Sequence, residues 1–181
     1  MLKSKVKTKV KDKGFKRAIK AIQIAAAGPK VKVGVLSIDG VKVASGDSLN
    51  LAGIASVNEF GTKNAGKNGN IVIPARPFMS QTMDGNFRKY NRQTESIVVK
   101  ILKGELTIEQ GLDLLGVVIS ADLKKTITTL SSPPNAPSTI RAKRSSNPLI
   151  DTGRLRSSMN YEVEVKPGVL SILNNLVKGV L

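Results

Sequence analysis

The sequence predicts an α+β domain in which a small, mainly antiparallel sheet packs against a long two-helix hairpin. Short stretches of alternating valines at 30–37 and 161–165 are typical of half-buried strands. Between them, two long stripes of apolar residues recur at helical spacing. Because 181 residues is the size of one domain, we expect a single domain over 14–181, preceded by a flexible basic arm at 1–13.

The composition restricts both the interior and the partners of the chain. Hydrophobic residues make up 40% of it but aromatics only 3%, so the core must be mostly aliphatic. The absence of cysteine and histidine removes disulfides, thiolate metal sites and the usual proton shuttle. A net charge of +16 favours an acidic partner, which is nucleic acid, anionic lipid or an acidic protein surface. With neither a long apolar run nor a secretory signal, we expect a soluble protein made inside a cell and no membrane contact.

The first residues of the chain carry an alternating row of lysines. These are Lys3, Lys5, Lys7, Lys9, Lys11 and Lys13. Alternation is a strand pattern, but so many like charges on one side repel each other, which favours a solvated arm. The alternative is an arm that becomes ordered on nucleic acid or on a neighbouring subunit.

The elements of the first half follow in order. Apolar residues from Phe15 to Ala26 recur at helical spacing, and Gly28-Pro29 ends that helix. The segment "KVKVGVLS" at 30–37 is a predicted strand, and "VKVAS" after the turn "IDG" can return beside it. We predict a short helix in 49–61 that ends at Gly61, then a loop of Gly, Asn and Lys residues, then "IVIPARPFM", a strand leading into a helix.

The central segment predicts two long helices joined by a tight connection, and therefore an antiparallel pair. Pro77 stands where a first helical residue belongs, Gly104 ends the first helix, and Thr107 with Gln110 forms a capping box for the second. The stripes assigned to the core are Met79, Met83, Phe87, Tyr90, Ile97 and Ile101, followed by Ile108, Leu112, Leu115, Ile119, Leu123 and Ile127.

The last third begins with a proline-rich stretch at 131–148, which predicts an extended, solvated loop. Asp151 or Thr152 can then cap a short helix whose Leu155 and Met159 face inward. "YEVEV" follows as a strand, and "VLSIL" beyond Pro167-Gly168 can return as its hairpin partner.

Enzyme motifs are close to absent. "GTKNAGKN" at 61–68 differs from a phosphate-binding loop at its last position, where Asn68 offers no hydroxyl for Mg²⁺, and a helix does not follow it. The carboxylates are scattered over turns and polar helix faces, with no spacing that pairs two of them. We expect no enzymatic activity, no cofactor and no metal.

Nucleic-acid binding is supported by charge alone. Lysines and arginines attach to phosphates without reading sequence, but few aromatics lie between them to stack on bases. No recognition-helix, zinc or RNA motif is present in the sequence. The cations are spread over the arm, the 61–68 loop and the 141–156 region. This distribution favours several separate basic contact surfaces over one nucleic-acid-binding groove.

Four segments in order carry a family resemblance: "VNEFGTKN" at 57–64, "IPARPFM" at 73–79, "PPNAPSTIRAK" at 133–143 and "PLIDTGRLRSSMNYEV" at 148–163. Together they resemble the tail-completion and neck proteins of tailed bacteriophages, including the minor tail protein Z-like group. The resemblance covers roughly residues 30–165. It implies a non-enzymatic virion protein, made in the host cytoplasm, that forms a ring at the head–tail junction, and the expected copy number is six.

The implied partners are copies of the same chain, neighbouring neck proteins, the tail terminator or tail tube, and packaged DNA through non-specific contact. A tail terminator, an adaptor or stopper of the head–tail connector, and a basic DNA-binding accessory protein stay open as alternatives. The residues that we expect at subunit or partner interfaces are Arg76, Phe78, Arg141, Lys143, Asp151, Arg154 and Arg156. For the arginines at 76, 154 and 156, the hypothesis is a charge-assisted bond to carboxylates of the adjacent subunit or ring. A helix-starting turn for Arg76, and a helix cap for the 151–156 segment, stay open as the alternative interpretations of the same residues.

Overall fold

The computed structural model describes residues 28–36, 50–66 and 68–165. The fold is α+β, as predicted, with a small antiparallel sheet and a two-helix hairpin. In chain order, the elements in these residues are β1 (Lys30–Val35), α1 (Leu51–Phe60), β2 (Thr62–Ala65), β3 (Ile71–Ile73), α2 (Phe78–Lys103), α3 (Ile108–Thr129), α4 (Pro137–Lys143), α5 (Arg154–Ser157) and β4 (Met159–Glu164). The predicted arm at 1–13, helix at 15–26, strand at 41–45 and hairpin partner at 169–173 lie outside the described residues.

The strands β1 and β4 pair antiparallel although they lie far apart in sequence. Val33 is opposite Tyr161 and Val31 is opposite Val163. The alternating valines of β1 turn one face inward, where Val33 packs against the core. The other face carries lysines, and Lys32 forms a 2.8 Å ion pair with Glu164 across the ladder. The alternation in the sequence therefore predicted both strands correctly.

The helical hairpin begins and ends near the residues that the sequence indicates. Gly104 ends α2 in the left-handed conformation, and its N–H is directed to the carbonyls of Ile101 and Lys100. Thr107 and Gln110 form the predicted capping box at the start of α3. Helix α3 packs against both α2 and the β1–β4 pair. A helix with two such neighbours needs a wide apolar face, which explains its many buried residues.

The core lies where the start of α2 meets the end of α3 and the chain around α5. Phe78, Ile127 and Met159 are fully buried there, and Leu155 is nearly so. The inward orientation predicted for Leu155 and Met159 is confirmed. Glycines on α3 allow close packing, because a Cβ atom at Gly116 would overlap the ring of Tyr161.

Helix α2 departs from the prediction at two positions of its stripe. Tyr90 is buried and Met79, Ile97 and Ile101 are half-buried, but Met83 and Phe87 are exposed. The assignment of Met83 and Phe87 to the core is therefore wrong. In the described part of the chain, α3 covers only one flank of this 26-residue helix, and the stripe is wider than that flank.

Two predicted loops contain regular structure. The stretch 61–70 includes β2, which pairs antiparallel with β3, so that Thr62 is opposite Ile73 and Ala65 is opposite Ile71. The proline-rich stretch 131–148 contains α4, which begins at Pro137 because proline fits the first helical turn. Pro77 is the residue before α2 rather than its first residue. No helix among the described residues is long and apolar enough to cross a bilayer.

Candidate functional site

Arg76 lies on the segment between β3 and α2, and its guanidinium is turned into the protein. Nε donates to the carbonyl oxygen of Pro133 at 2.9 Å. Nη2 donates to the carbonyl oxygen of Pro134 and to Oδ1 of Asn135, each at 3.2 Å. Only 4% of the residue is exposed, and this burial lowers its pKa, although an arginine stays protonated. The hypothesis that Arg76 reaches a neighbouring subunit is wrong, because its donors bind the 133–135 loop of its own chain.

Glu59 lies near the end of α1 and caps the start of α2. Its Oε2 accepts from the backbone N–H of Met79 at 2.8 Å, and its Oε1 accepts from both the N–H and the hydroxyl of Ser80, at 3.0 and 2.7 Å. A buried carboxylate in this position satisfies amide groups that have no partner within the helix and complements the helix dipole. The sequence alone did not reveal this role of Glu59. The signal in the sequence was Pro77, which precedes α2 and cannot cap it with its side chain. The amide groups at the start of α2 therefore need an acceptor from elsewhere in the chain.

The backbone completes the connection between the end of α1 and the start of α2. The N–H of Arg76 donates to the carbonyl of Asn58 at 2.6 Å. Gly61 follows with a φ of 72°, and a Cβ atom there would lie 2.7 Å from the amide nitrogen of Ala75. Only glycine combines that conformation with so close an approach of two chain segments. Glu59 and Gly61 of the Glu-Phe-Gly sequence are thus explained by packing inside the chain, whereas Phe60 between them is exposed.

Asn147 joins the proline-rich segment to the end of α3. Its Oδ1 accepts from the N–H groups of Leu149 and Ile150, both at 2.9 Å, and its Nδ2 donates to the carbonyl of Thr128 at 2.8 Å. Its own carbonyl accepts from Nδ2 of Asn135 at 3.2 Å. Asn147 does not stand out in the sequence, since an asparagine before a proline is typical of any turn.

Lys143, predicted at an interface, is half-buried beside Asn147. Its Nζ donates to the carbonyls of Asn147 and Pro148, both at 3.3 Å. Burial lowers the pKa of Lys143, the positive charge of Arg76 lowers it further, and the carboxylate of Asp151 opposes the shift. We call the set Glu59, Arg76, Asn135, Lys143 and Asn147 the Arg76 junction. Its members tie α1, α2 and the 133–148 segment together through side-chain bonds to backbone groups.

The remaining predicted interface residues divide into one buried residue and four exposed ones. Phe78 is fully buried in the core, so its assignment to an interface is wrong. The exposed residues are Arg141, Asp151, Arg154 and Arg156. Among the described residues, none of their side chains forms an ion pair. They therefore stay available to an external partner.

The turn into α5 differs in one detail from the prediction. Gly153, in the left-handed conformation, precedes the helix, and no side chain caps it. The predicted cap from Asp151 or Thr152 is therefore wrong. Leu155 is buried between exposed Arg154 and Arg156, so the two guanidinium groups project outward as expected. Residues 153–157, anchored by buried Leu155, thus hold the side chains of Arg154 and Arg156 at the surface.

The described residues also place the segment that resembles a phosphate-binding loop and several of the carboxylates. Residues 61–66, from the sequence that resembles a phosphate-binding loop, contain β2, and the next element is β3 rather than a helix. Within the described residues no three carboxylates gather as metal ligands would. A shallow, open groove is lined by Glu109, Asp113 and Val163, and Asp113 accepts a hydrogen bond from the hydroxyl of Tyr161 at 2.7 Å.

Comparison of the chain with protein-family models, with curated proteins and with solved structures gives no match in any of the three.

Proposed function

We propose that this chain is a structural subunit of a tailed-phage virion. It acts as a tail-completion or neck protein that forms a ring at the head–tail junction and joins the tail to the DNA-filled capsid. The Arg76 junction is the observation that carries the proposal. The four segments of the resemblance, at 57–64, 73–79, 133–143 and 148–163, are linked through it or packed beside it.

That convergence matters because the four segments are far apart in sequence. Arg76 binds residues 57 to 59 positions away, through bonds that need both segments in one geometry. Motifs that a fold needs for its own assembly recur together wherever the fold recurs. The junction therefore supports a common fold with the phage group, and the role of that group follows from the fold by analogy.

The exposed cations support an assembly role. Arg154 and Arg156 project from a short helix whose backbone is fixed by buried Leu155. Binding of a partner therefore costs little backbone entropy in this segment. Guanidinium groups held in this way form strong bidentate bonds to carboxylates. We place the carboxylates of the next subunit, or of an adjacent neck or tail protein, opposite them.

The test uses the double substitution Arg154→Ala and Arg156→Ala in the genome that encodes the chain. We expect a folded subunit, full heads and complete tails that fail to join, and a loss of infectious particles of at least a hundredfold. The matched control is Lys100→Ala with Lys103→Ala, which removes the same charge from exposed positions at the end of α2. Normal infectivity of the arginine variant, or absence of the chain from finished particles, contradicts the proposal.

A basic DNA-binding accessory protein is the second candidate, and the exposed Arg141, Arg154 and Arg156 on a chain of net charge +16 favour it. The isolated chain would then bind duplex DNA tightly, with affinity falling steeply as salt is raised. Weak duplex binding together with ring formation favours the neck protein instead.

A further inference from the structure

Arg144, the residue that ends α4, holds its backbone in the left-handed conformation, with a φ of 54° and a ψ of 29°. Every other described residue with a positive φ is a glycine, including Gly104 and Gly153 at the boundaries of α2 and α5. In this conformation a Cβ atom crowds the following carbonyl oxygen, so a helix end of this kind favours glycine. An arginine at this position therefore lowers the stability of the fold.

The path of the chain around α4 imposes the conformation of residue 144. Asn135 precedes the helix and Asn147 follows it, and Nδ2 of Asn135 donates to the carbonyl oxygen of Asn147 at 3.2 Å. The seven residues of α4 rise about 10 Å, and the chain from residue 144 to residue 147 spans at most about 10 Å. The chain must therefore reverse as soon as the helix ends. The fold requires this reversal, but it does not require an arginine side chain there.

The turn that carries Arg144 is held in place by its neighbours. Nζ of Lys143 donates to the carbonyl oxygens of Asn147 and Pro148, both at 3.3 Å. The side chain of Asn147 is bonded in turn to the carbonyl of Thr128 at the end of α3. Because the backbone of the turn is fixed, a partner that binds Arg144 orders only the side chain. Strained residues on a well-held support are typical of sites that contact other molecules.

The side chain of Arg144 has no partner of opposite charge among the described residues. It is exposed, and so is Arg141, which lies three residues earlier and therefore on the same side of α4. Neither arginine forms an ion pair with Asp151 or with any other described carboxylate. Cations are favourable at the end of a helix, but Arg141 and Lys143 already occupy the last turn of α4. Two neighbouring guanidinium groups repel each other, and an anionic group from outside the chain would relieve that repulsion.

A protein carboxylate suits Arg144 better than nucleic acid does. Contacts to DNA phosphates depend mainly on charge, and a chain of net charge +16 has many other cations that can form them without backbone strain. A guanidinium on a fixed turn instead matches an acceptor at one defined position, and it binds a carboxylate through two parallel hydrogen bonds. Strain at a single residue is thus explained by a contact whose geometry matters.

We propose that Arg144, together with Arg141, binds a carboxylate of an adjacent protein subunit, and that the strained end of α4 is the support for this contact. The inference rests on the proposed function, and it adds a second contact to the one assigned to Arg154 and Arg156. Arg144 is then unfavourable for folding and necessary for assembly. Substitutions at this one position should therefore separate the two properties.

Two substitutions distinguish the side chain from the strain. Arg144→Gly removes the guanidinium and relieves the left-handed conformation, whereas Arg144→Ala removes the guanidinium and keeps the Cβ atom. In thermal unfolding of the full chain, we expect Arg144→Gly to raise the midpoint by about 2 °C or more and Arg144→Ala not to raise it. In the genome that encodes the chain, both substitutions should lower the yield of infectious particles roughly tenfold or more, with complete heads and tails left unjoined.

Lys103→Ala is the matched control, because Lys103 is an exposed cation beside Gly104, the left-handed residue that ends α2. It should leave the yield of infectious particles unchanged. Arg144→Glu identifies the partner through suppressors that restore infectivity. We expect these suppressors to replace an exposed Asp or Glu by Lys or Arg, and the gene in which they lie shows whether the partner is another copy of this chain or a different virion protein.

The outcomes separate the contact from the function. A normal yield of infectious particles from Arg144→Gly overturns the contact and leaves the neck assignment standing. A lower unfolding midpoint of Arg144→Gly means that the arginine stabilises its own turn, which also overturns the inference. Normal joining of heads and tails, together with weaker binding of the isolated variant to duplex DNA, would assign Arg144 to phosphates instead. Absence of the chain from virus particles removes both the function and the subunit contact.

Discussion

The carboxylate oxygen Oε1 of Glu59 accepts two hydrogen bonds from Ser80, one from its backbone N–H at 3.0 Å and one from its hydroxyl at 2.7 Å. These two residues come from different helices. Glu59 therefore caps the start of α2, as an N-cap side chain would, although it belongs to α1. The same hydrogen bonds fix the angle between α1 and α2.

Replacement of Glu59 should destabilise the whole fold. Glu59→Ala leaves buried amide donors of α2 without an acceptor, so we expect the free energy of unfolding to fall by about 2 kcal/mol. Glu59→Gln keeps one acceptor oxygen and should cost about half as much. Urea denaturation followed by circular dichroism measures both. Glu95→Gln, exposed on α2, is the control, and an equal effect there would show that the loss is due to charge alone.

Arg76 should not tolerate lysine. The planar guanidinium reaches three acceptors on consecutive residues, and a single ammonium group cannot match that arrangement. Arg76→Lys should lower the free energy of unfolding by about 2 kcal/mol and expose the 133–135 segment to proteases. Arg88→Lys, on the exposed surface of α2, should change stability by less than about 0.5 kcal/mol. Equal protease resistance of the two variants contradicts the role assigned to Arg76.

Two glycines in long helices should respond to alanine in opposite directions. Gly85→Ala in α2 meets no atom within 4 Å and should stabilise the fold by about 0.5–1 kcal/mol, because alanine is the better helix former. Gly116→Ala in α3 forces a methyl group into the ring of Tyr161 and should destabilise it by about 1–3 kcal/mol. Thermal unfolding of the two variants separates packing from helix propensity, and a gain at both positions would contradict the close approach of β4 to α3.

Alkaline pH should weaken the fold through its two tyrosines. Burial, reinforced by a hydrogen bond to Asp122, raises the pKa of Tyr90, and a hydrogen bond to Asp113 raises the pKa of Tyr161. A raised pKa in the folded state means that the folded chain holds its protons more tightly. This contribution is complete below the unfolded pKa of about 10 and is lost as pH rises above it.

Absorbance titration can follow the tyrosines separately. In Tyr161→Phe only Tyr90 titrates, and it should ionise at higher pH than Tyr161 does in Tyr90→Phe, because the Tyr90 hydroxyl is also buried. Tyr90→Phe should also reduce the loss of stability between neutral and alkaline pH. Ionisation of both tyrosines near pH 10 in the folded protein would contradict the two hydrogen bonds.

Local patterns predicted much of the fold because they depend on neighbours in sequence. The capping box of Thr107 and Gln110, the glycine stop at Gly104 and the alternation in β1 each act within a few residues. Leu155 and Met159 were assigned inward correctly, since a four-residue spacing on a turn and strand start leaves little choice. The loops at 61–70 and 131–148 were assigned too little structure, because Gly, Asn and Pro also occur at hairpin turns and at the first turn of a helix.

The candidate site was harder to predict. The sequence selected Arg76, Lys143, Arg154 and Arg156 as one class of basic residue near a proline or a turn. The fold separates them, with the first two directed inward to backbone carbonyls and the last two exposed. The roles of Glu59 and Asn147 were not predicted, because each depends on a partner that is distant in sequence. These partners lie 20 residues away in α2 and 19 residues away in α3.

By itself the sequence determined the α+β class, the long helical pair and the basic, aliphatic character of the chain, because periodicity and composition belong to the chain before it folds. Only the tertiary structure decided which side of α2 is covered and whether a guanidinium serves its own chain or a partner. Burial and hydrogen bonding depend on which segments meet, and residues as far apart as Arg76 and Pro133 meet only in the folded protein.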